Sequence, residues 1–137
     1  PNLSQRTLPA ATAAALVLMA AASGKVMIKT AGVSAVVGAF HPRDPAAIPA
    51  GFALVCKQQN WPIQSMWEKL SDLKRPWFEA SNGAYIYWNA SDGNWWIDEP
   101  SGGGVYIAPS REQWPPTDGW RVLQGARLPL PQLSVEQ

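Results

Sequence analysis

The stretch NGAYIYWNASDGNWWIDEP, residues 82–100, decides the expected fold. In it Ala84, Ile86 and Trp88 alternate with Tyr85 and Tyr87, the period of two that is typical of a β-strand over residues 83–89. Residues 94–98 and 104–108 are rich in aromatic and β-branched side chains and predict two further strands. Because the connections between these segments are short and one carries Asp-Gly, we expect an antiparallel meander of three strands.

The segments on either side of the strands complete the expected domain. Residues 63–74 place apolar side chains at helical spacing, so they predict an amphipathic helix that ends before Pro76 and turns Trp67 toward the sheet. Residues 51–56 form a short apolar run that indicates an edge strand or a partner contact. Residues 114–131 are rich in proline and predict an extended tail over the domain.

The N-terminal part of the chain is apolar and carries little charge. Residues 7–24 have no charged side chain, and as a helix they would extend ~27 Å, just short of the ~30 Å hydrocarbon core of a bilayer. A transmembrane helix is the main interpretation; a buried helix in a complex and a retained signal sequence are the alternatives. In residues 26–40, Ala31, Ala35 and Ala39 would form a small-residue stripe on a helix, which suits close helix contact.

These patterns together predict an α+β fold in three parts. Residues 1–40 are expected to form an apolar helical membrane or docking segment, residues 41–60 a Pro-rich linker, and residues 61–137 a Trp-rich domain. In that domain one amphipathic helix would cover a three-stranded antiparallel sheet. The charge distribution agrees with the division, because the first 60 residues carry five basic and one acidic side chain, and the remainder six basic and nine acidic.

The Trp-rich stretch resembles a known module. The pattern NGAYxYWNxxDGxWWIDxP, followed by GVYIA and a Pro-Pro…Gly-Trp segment, is similar to a small module of dinoflagellate-type algal proteins. The similarity covers residues 81–120 and brings no biochemical activity with it. It implies an algal organelle as the setting, and a lineage-specific small subunit of a photosystem I–antenna supercomplex as a role.

The chain offers few residues for catalysis or metal binding. Asp92 and Asp118 belong to Asp-Gly turns, and Asp98 and Glu99 end a strand, so none of them indicates the paired carboxylates of a glycosidase. The single cysteine, Cys56, lies in an apolar run and is expected to be a small buried side chain. With one cysteine and one histidine, no cluster of Cys or His ligands can form. We therefore expect no enzyme, no catalytic residue and no metal site.

Aromatic and small side chains carry the expected contacts instead. All eight tryptophans lie between Trp61 and Trp120, where they can form a core, a subunit interface or a ligand platform. Adjacent Trp95 and Trp96 must point to opposite faces of a strand, so one packs inward and the other meets the Pro-rich tail or a partner. His41, at the end of the second apolar stretch, is a candidate chlorophyll ligand, with carotenoid as the other pigment considered. The interface candidates are Ala31, Ala35, Ala39, Trp88, Trp95, Trp96, Trp114 and Trp120.

Two functions fit these observations. The first is a non-catalytic accessory subunit of a large organellar membrane complex, with photosystem I and its antenna as the specific hypothesis. Its partners would be larger subunits and lipid, in the plastid thylakoid membrane or the mitochondrial inner membrane. A formal charge of +1 gives no basis for nucleic-acid binding. The alternative is a membrane-tethered Trp-rich module that binds carbohydrate or a proline-rich peptide, since the order Tyr85, Tyr87, Asn89, Trp96, Pro100 is similar to that of WW domains.

Overall fold

One antiparallel sheet of eight strands dominates the structure. The computed structural model describes residues 24–123 and 125–136. The strands are β1 (Lys25–Thr30), β2 (Gly38–Arg43), β3 (Trp77–Ala80), β4 (Tyr85–Asn89), β5 (Asn94–Asp98), β6 (Gly104–Pro109), β7 (Arg121–Val122) and β8 (Gln132–Glu136). The helices are α1 (Ala50–Gln59), α2 (Ile63–Leu70) and a single 3-10 turn, Ser34–Val36. The strand order is β7-β6-β5-β4-β3-β2-β1-β8, so only β8 pairs out of sequence order.

The expected three-stranded α+β domain is wrong. Strands β4, β5 and β6 do form the predicted meander, but they are three of the eight strands of a curled sheet that also takes in β3 and strands from residues 25–43 and 121–136. The sheet therefore unites residues from the expected membrane segment, the expected linker and the expected Trp-rich domain. The predicted tail also contributes, because Arg121 and Val122 pair with β6 as β7.

The helix expected over residues 26–40 is wrong as well. Residues 25–30 form strand β1 instead, and the alternate side chains Val26 and Ile28 point into the protein core. β1 pairs with β2, with Val26 opposite Phe40. Gly38 has φ 137°, a backbone conformation that side-chain-bearing residues rarely adopt and that no helix contains. The spacing of Ala31, Ala35 and Ala39 was compatible with a helix, but the period of two in the β-branched residues decides the outcome.

Two further segments differ from the sequence expectation. Residues 51–56, expected to form an edge strand or a partner contact, belong to α1, where Phe52 and Cys56 are one helical turn apart on the buried face. The helix ends at Gln59, and Asn60 follows it with a positive φ of 61° that is typical of a C-terminal cap. α2 begins at Ile63 as predicted but ends at Leu70, because the Asp72 carboxylate accepts hydrogen bonds from the backbone N–H groups of Lys74 and Arg75 and forms a turn there.

The described residues contain no helix that is long and apolar enough to cross a membrane. For the described residues, the transmembrane description and the expected integral location in the thylakoid membrane are therefore corrected. The helix expected over residues 7–24 lies almost entirely outside the described residues, of which Gly24 is the first.

Both faces of the sheet are covered by apolar side chains. The inner face of the curl buries residues from seven strands, among them Val26, Phe40, Phe78, Trp95 and Tyr106. The outer face carries a second cluster, in which α1 and α2 pack Phe52 and Trp67 against Trp77, Tyr85 and Tyr87. Because both faces are covered, every residue of β4 is buried. Alternate residues of β4 point to the inner and the outer face.

Candidate functional site

Strands β4 and β5 present a row of aromatic and polar side chains to the helices. In their antiparallel register Tyr87 lies opposite Trp96, and Tyr85 lies opposite Asp98. These four side chains share the outer face, since alternate residues of a strand point the same way. The hairpin turn fixes the end of the row, because the Trp96 indole Nε1 donates to the Asp92 carboxylate at 3.0 Å.

The two helices leave a cavity above this row. Its volume is about 350 Å³, which lies within the range of roughly 300–1,000 Å³ found for small-molecule sites. Apolar side chains dominate the walls. The lining residues are Phe52, Val55 and Cys56 of α1, Trp61 between the helices, Met66 and Leu70 of α2, Tyr85, Tyr87 and Asn89 of β4, Trp96 and Asp98 of β5, and Gly102 and Gly104 before and at the start of β6.

The aromatic walls are fixed by contacts between rings. Trp67 lies behind the cavity, with its ring centroid 5.0 Å from that of Phe52 and 5.5 Å from that of Tyr87. Tyr87 is in turn 5.9 Å from Tyr85 and 6.5 Å from Trp96. Distances in this range are typical of favourable aromatic pairs, so the walls are preformed.

Two glycines make the cavity possible. A β-carbon at Gly104 would lie 2.7 Å from the six-membered ring of Trp96, so the indole occupies the space that a side chain would fill. Gly102 has φ 94°, and a β-carbon there would lie 2.2 Å from the carbonyl oxygen of Gly51. The first turn of α1 can therefore pack directly on the β5–β6 turn and close that side of the cavity.

Two buried polar atoms at this site have no hydrogen-bond partner among the described residues. They are the Tyr85 hydroxyl and Oδ1 of Asp98, whose residue is 4% exposed. The two groups lie opposite each other on β4 and β5, and their interaction raises the pKa of Tyr85 and lowers that of Asp98, although the pair lacks regular hydrogen-bond geometry. An unpaired buried polar group costs about 1–3 kcal/mol, which a ligand with matching groups would recover.

Burial keeps the titratable groups of the site in their neutral forms. It raises the pKa of Asp98 to about 8; the Tyr85 hydroxyl acts in the opposite direction, and Glu99 adds to the rise. Burial also raises the pKa of Tyr85, Tyr87 and Cys56. A thiol with a raised pKa is a poor nucleophile, so the site offers hydrogen bonds and apolar contact rather than a reactive group.

Asn89 is a further polar residue of the cavity, and both polar atoms of its side-chain amide are engaged in hydrogen bonds. Its amide Nδ2 donates to the Tyr87 hydroxyl at 3.1 Å, and its Oδ1 accepts from the backbone N–H of Ser91 at 2.9 Å. The Tyr87 hydroxyl is therefore held in place, in contrast to the Tyr85 hydroxyl.

The tryptophans expected at an interface divide between the two faces. Trp88, Trp95 and Trp120 are buried in the inner core, and Trp114 packs against it with its ring 5.4 Å from that of Phe78. The segment after β6 covers two of them, because Trp88 donates to the Ser110 carbonyl at 2.8 Å and Trp95 to the Glu112 carbonyl at 3.2 Å. Trp96 alone of the five lies on the outer face, at the cavity.

The remaining interface and pigment candidates lie elsewhere. Ala31 and Ala35 are half-buried against the inner core. Ala39 and His41 lie on β2 beside a shallow groove, where His41 is exposed and stands opposite Glu79 in the register. Within residues 24–123 and 125–136, no three His, Cys, Asp or Glu side chains come together as a metal site.

Sequence reasoning named some cavity residues but missed the cavity. Tyr85, Tyr87 and Asn89 entered as functional candidates only through the order similar to that of WW domains, and Trp96 entered also as an interface candidate. Asp98 was assigned to a strand end, although the predicted hairpin already placed Asp98 on one face with Trp96. Pairing the two strands through the turn would have found this row. No sequence pattern indicates that Trp61 and Cys56 line the cavity, because their positions depend on how α1 packs on the sheet.

Comparisons of the chain with protein-family models, with curated protein sequences and with solved structures gave no match. The assignment of a function then rests on the cavity itself.

Proposed function

We propose that this protein is a non-catalytic binding protein and that the cavity between α1, α2 and the sheet holds a small organic ligand. One observation carries the proposal: preformed aromatic walls surround a buried carboxyl and a buried phenol that lack partners among the described residues. Apolar cavities with a few convergent polar groups and a perturbed pKa are typical of binding sites.

The same residues support binding rather than catalysis. Asp98 is the single carboxyl group among the described residues that line the cavity, whereas glycoside hydrolysis needs two. The Cys56 thiol is buried, its pKa is raised, and no histidine of the described lining accompanies it. The described lining residues therefore include neither a second carboxyl group to work with Asp98 nor a histidine to activate the Cys56 thiol.

A neutral probe tests the proposal. N-phenylnaphthylamine is an uncharged fluorescent compound that brightens in apolar surroundings, and we expect it to bind and to shift the indole N–H resonances of Trp61 and Trp96. Trp88 and Trp95 are on the other face of the sheet and serve as internal controls. The measurement is a fluorescence titration followed by nitrogen-15 NMR of the indole groups.

Two variants of α2 localise the binding. Met66→Trp places a large side chain in the cavity and should weaken probe binding by at least about ten-fold, a difference of about 1.4 kcal/mol. Lys69→Trp adds the same side chain on the exposed side of the same helix and should leave binding within about two-fold. Equal binding by both variants, or shifts centred on Trp88 and Trp95, would contradict the proposal.

A second candidate function is a non-catalytic accessory subunit that docks on a larger assembly. Leu128 is 70% exposed and Leu130 40% exposed, beside a surface groove of about 580 Å³ that also includes Trp120. Apolar side chains exposed together favour a partner contact.

The docking function has its own test. The natural protein in a mildly prepared cell extract should comigrate with a larger complex on a native gel. The double variant Leu128→Asp, Leu130→Asp should migrate alone while it retains its fold by circular dichroism. Comigration that survives both substitutions would exclude this surface as the contact.

A further inference from the structure

We propose that the occupant of the cavity is a small, fully alkylated ammonium ion, either free or as the headgroup of a lipid. This inference deepens the proposed binding function and rests on it. Three features carry it: the unpartnered carboxyl of Asp98, the aromatic walls, and the lack of any basic side chain among the described lining residues.

Charge complementarity favours a cation. The described residues that line the cavity include one acidic side chain, Asp98, and no Lys, Arg or His. An anionic ligand would meet no opposite charge there and would face the carboxyl. A cation would compensate the charge of the ionised Asp98 carboxylate, and a buried charge is strongly unfavourable when nothing compensates it.

The aromatic walls favour a cation as well. Five aromatic side chains line the cavity, and a cation over an aromatic face gains about 0.5–2 kcal/mol. The chain already uses this interaction at two places outside the cavity. The guanidinium carbon of Arg75 lies 3.9 Å from the Trp88 ring centroid, and that of Arg43 lies 5.6 Å from the Trp77 ring centroid. No such cation is seen at Tyr87 or Trp96 among the described residues.

The apolar walls select for alkylation. A primary ammonium ion brings three N–H donors, and each must find an acceptor when it leaves water. The Asp98 carboxyl and the Tyr85 hydroxyl are the acceptors that the cavity offers, because Asn89 is already engaged and Val55, Met66 and Leu70 are apolar. A quaternary ammonium ion carries charge without donors and is bounded by methyl groups that pack on such walls.

The proton on Asp98 gives the inference a pH signature. The titratable groups near this carboxyl are Tyr85 and Tyr87 on β4, Cys56 on α1, and Glu99, which follows Asp98 in the chain. The lining residues from α2 and β6 are Met66, Leu70 and Gly104, none of which titrates. Asp98 itself has its pKa at about 8. Because a quaternary ammonium ion does not titrate, its affinity should rise about ten-fold per pH unit up to about pH 8 and then level off.

Choline and neohexanol form the test pair. Neohexanol is the carbon isostere of choline, in which C(CH₃)₃ replaces N⁺(CH₃)₃. At about pH 8.5 we expect choline to bind at least about ten-fold more tightly than neohexanol, and at about pH 6 the preference should largely disappear. Titration calorimetry measures the affinities, and the indole resonances of Trp61 and Trp96 locate the site. Equal affinity for both compounds at the higher pH would overturn the inference.

Two variants separate charge from shape. Asp98→Asn keeps the shape of the side chain and should abolish the preference for choline, whereas Asp118→Asn removes an exposed carboxylate of a turn and should retain it. N-phenylnaphthylamine binding reports that the cavity of each variant is intact. If the natural protein binds N-phenylnaphthylamine but not choline, the proposed binding function stands and the ammonium ligand is refuted. If it binds neither compound, both proposals are refuted.

Vesicles distinguish the two sources of the cation. Cosedimentation with phosphatidylcholine vesicles but not with phosphatidylglycerol vesicles, reduced by Asp98→Asn, would assign the cation to a lipid headgroup. Binding of free choline without vesicle binding would assign it to a soluble compound. Preferential binding to phosphatidylglycerol would contradict the inference, because that headgroup is an anion without an ammonium group.

Discussion

Replacement of Trp67 by alanine is expected to lower the free energy of unfolding by about 3–5 kcal/mol, the usual range for a large aromatic side chain in a core. Trp67 is 1% exposed. Its indole ring contacts Phe52, Trp77 and Tyr87, and its Nε1 donates to the Pro45 carbonyl at 2.9 Å. The truncation would leave a void where α2, the sheet and the segment before α1 meet, and would leave that carbonyl unpaired.

Trp61→Ala is the matched control for this measurement. Trp61 is 47% exposed and precedes α2, so its truncation should cost less than about 1 kcal/mol. Urea unfolding monitored by circular dichroism gives both values. A loss below about 1 kcal/mol for Trp67→Ala would mean that the outer cluster contributes little to stability.

The Asp98→Asn variant is expected to be more stable than the natural protein near pH 8, by on the order of 2–5 kcal/mol. An unfolded chain releases the Asp proton near pH ~3.9, whereas the folded protein holds it to about pH 8. Between these values the folded state binds one proton more than the unfolded state. The stability of the natural protein should therefore fall as the pH rises from about 4 to about 8.

The pH dependence is the measurement that decides this prediction. Asparagine cannot titrate, so the variant should lose the part of the slope that comes from Asp98, and the two proteins should approach each other in stability near pH ~4. Asp118→Asn, which removes an exposed carboxylate, should follow the natural protein. An Asp98→Asn variant that is less stable than the natural protein at about pH 8 would contradict the raised pKa.

The local part of the fold could be predicted from the sequence. Strands β4, β5 and β6 and the start of α2 at Ile63 follow from periodicity, turn residues and proline positions. The pairing of β1 with β8 could not, because it joins Lys25 to Glu136 and no local pattern links such distant segments. The alanines of residues 31–39 were misleading for a related reason: small residues suit a helix contact, a half-buried turn and a half-buried strand equally well.

The candidate site was predictable only in part. The hairpin register places Tyr85 and Asp98 side by side, and the Asp-Gly turn already indicates that register. That Asp98 would be buried could not be foreseen, since it depends on α1 and on the close packing of Gly51 against Gly102. The same packing converts a carboxyl at a strand end into a neutral group within a cavity.

The pairing of β1 with β8 has a consequence for the synthesis of the chain. β2 can pair with β1, and β3 with β2, as soon as they leave the ribosome, but the outer edge of β1 finds its partner only when residues 132–136 have emerged. Until then the nascent chain carries an open strand edge with Val26 and Ile28 on one side. Unpaired edges of this kind recruit other strands, so residues 132–136, once they have emerged, protect β1 from intermolecular pairing.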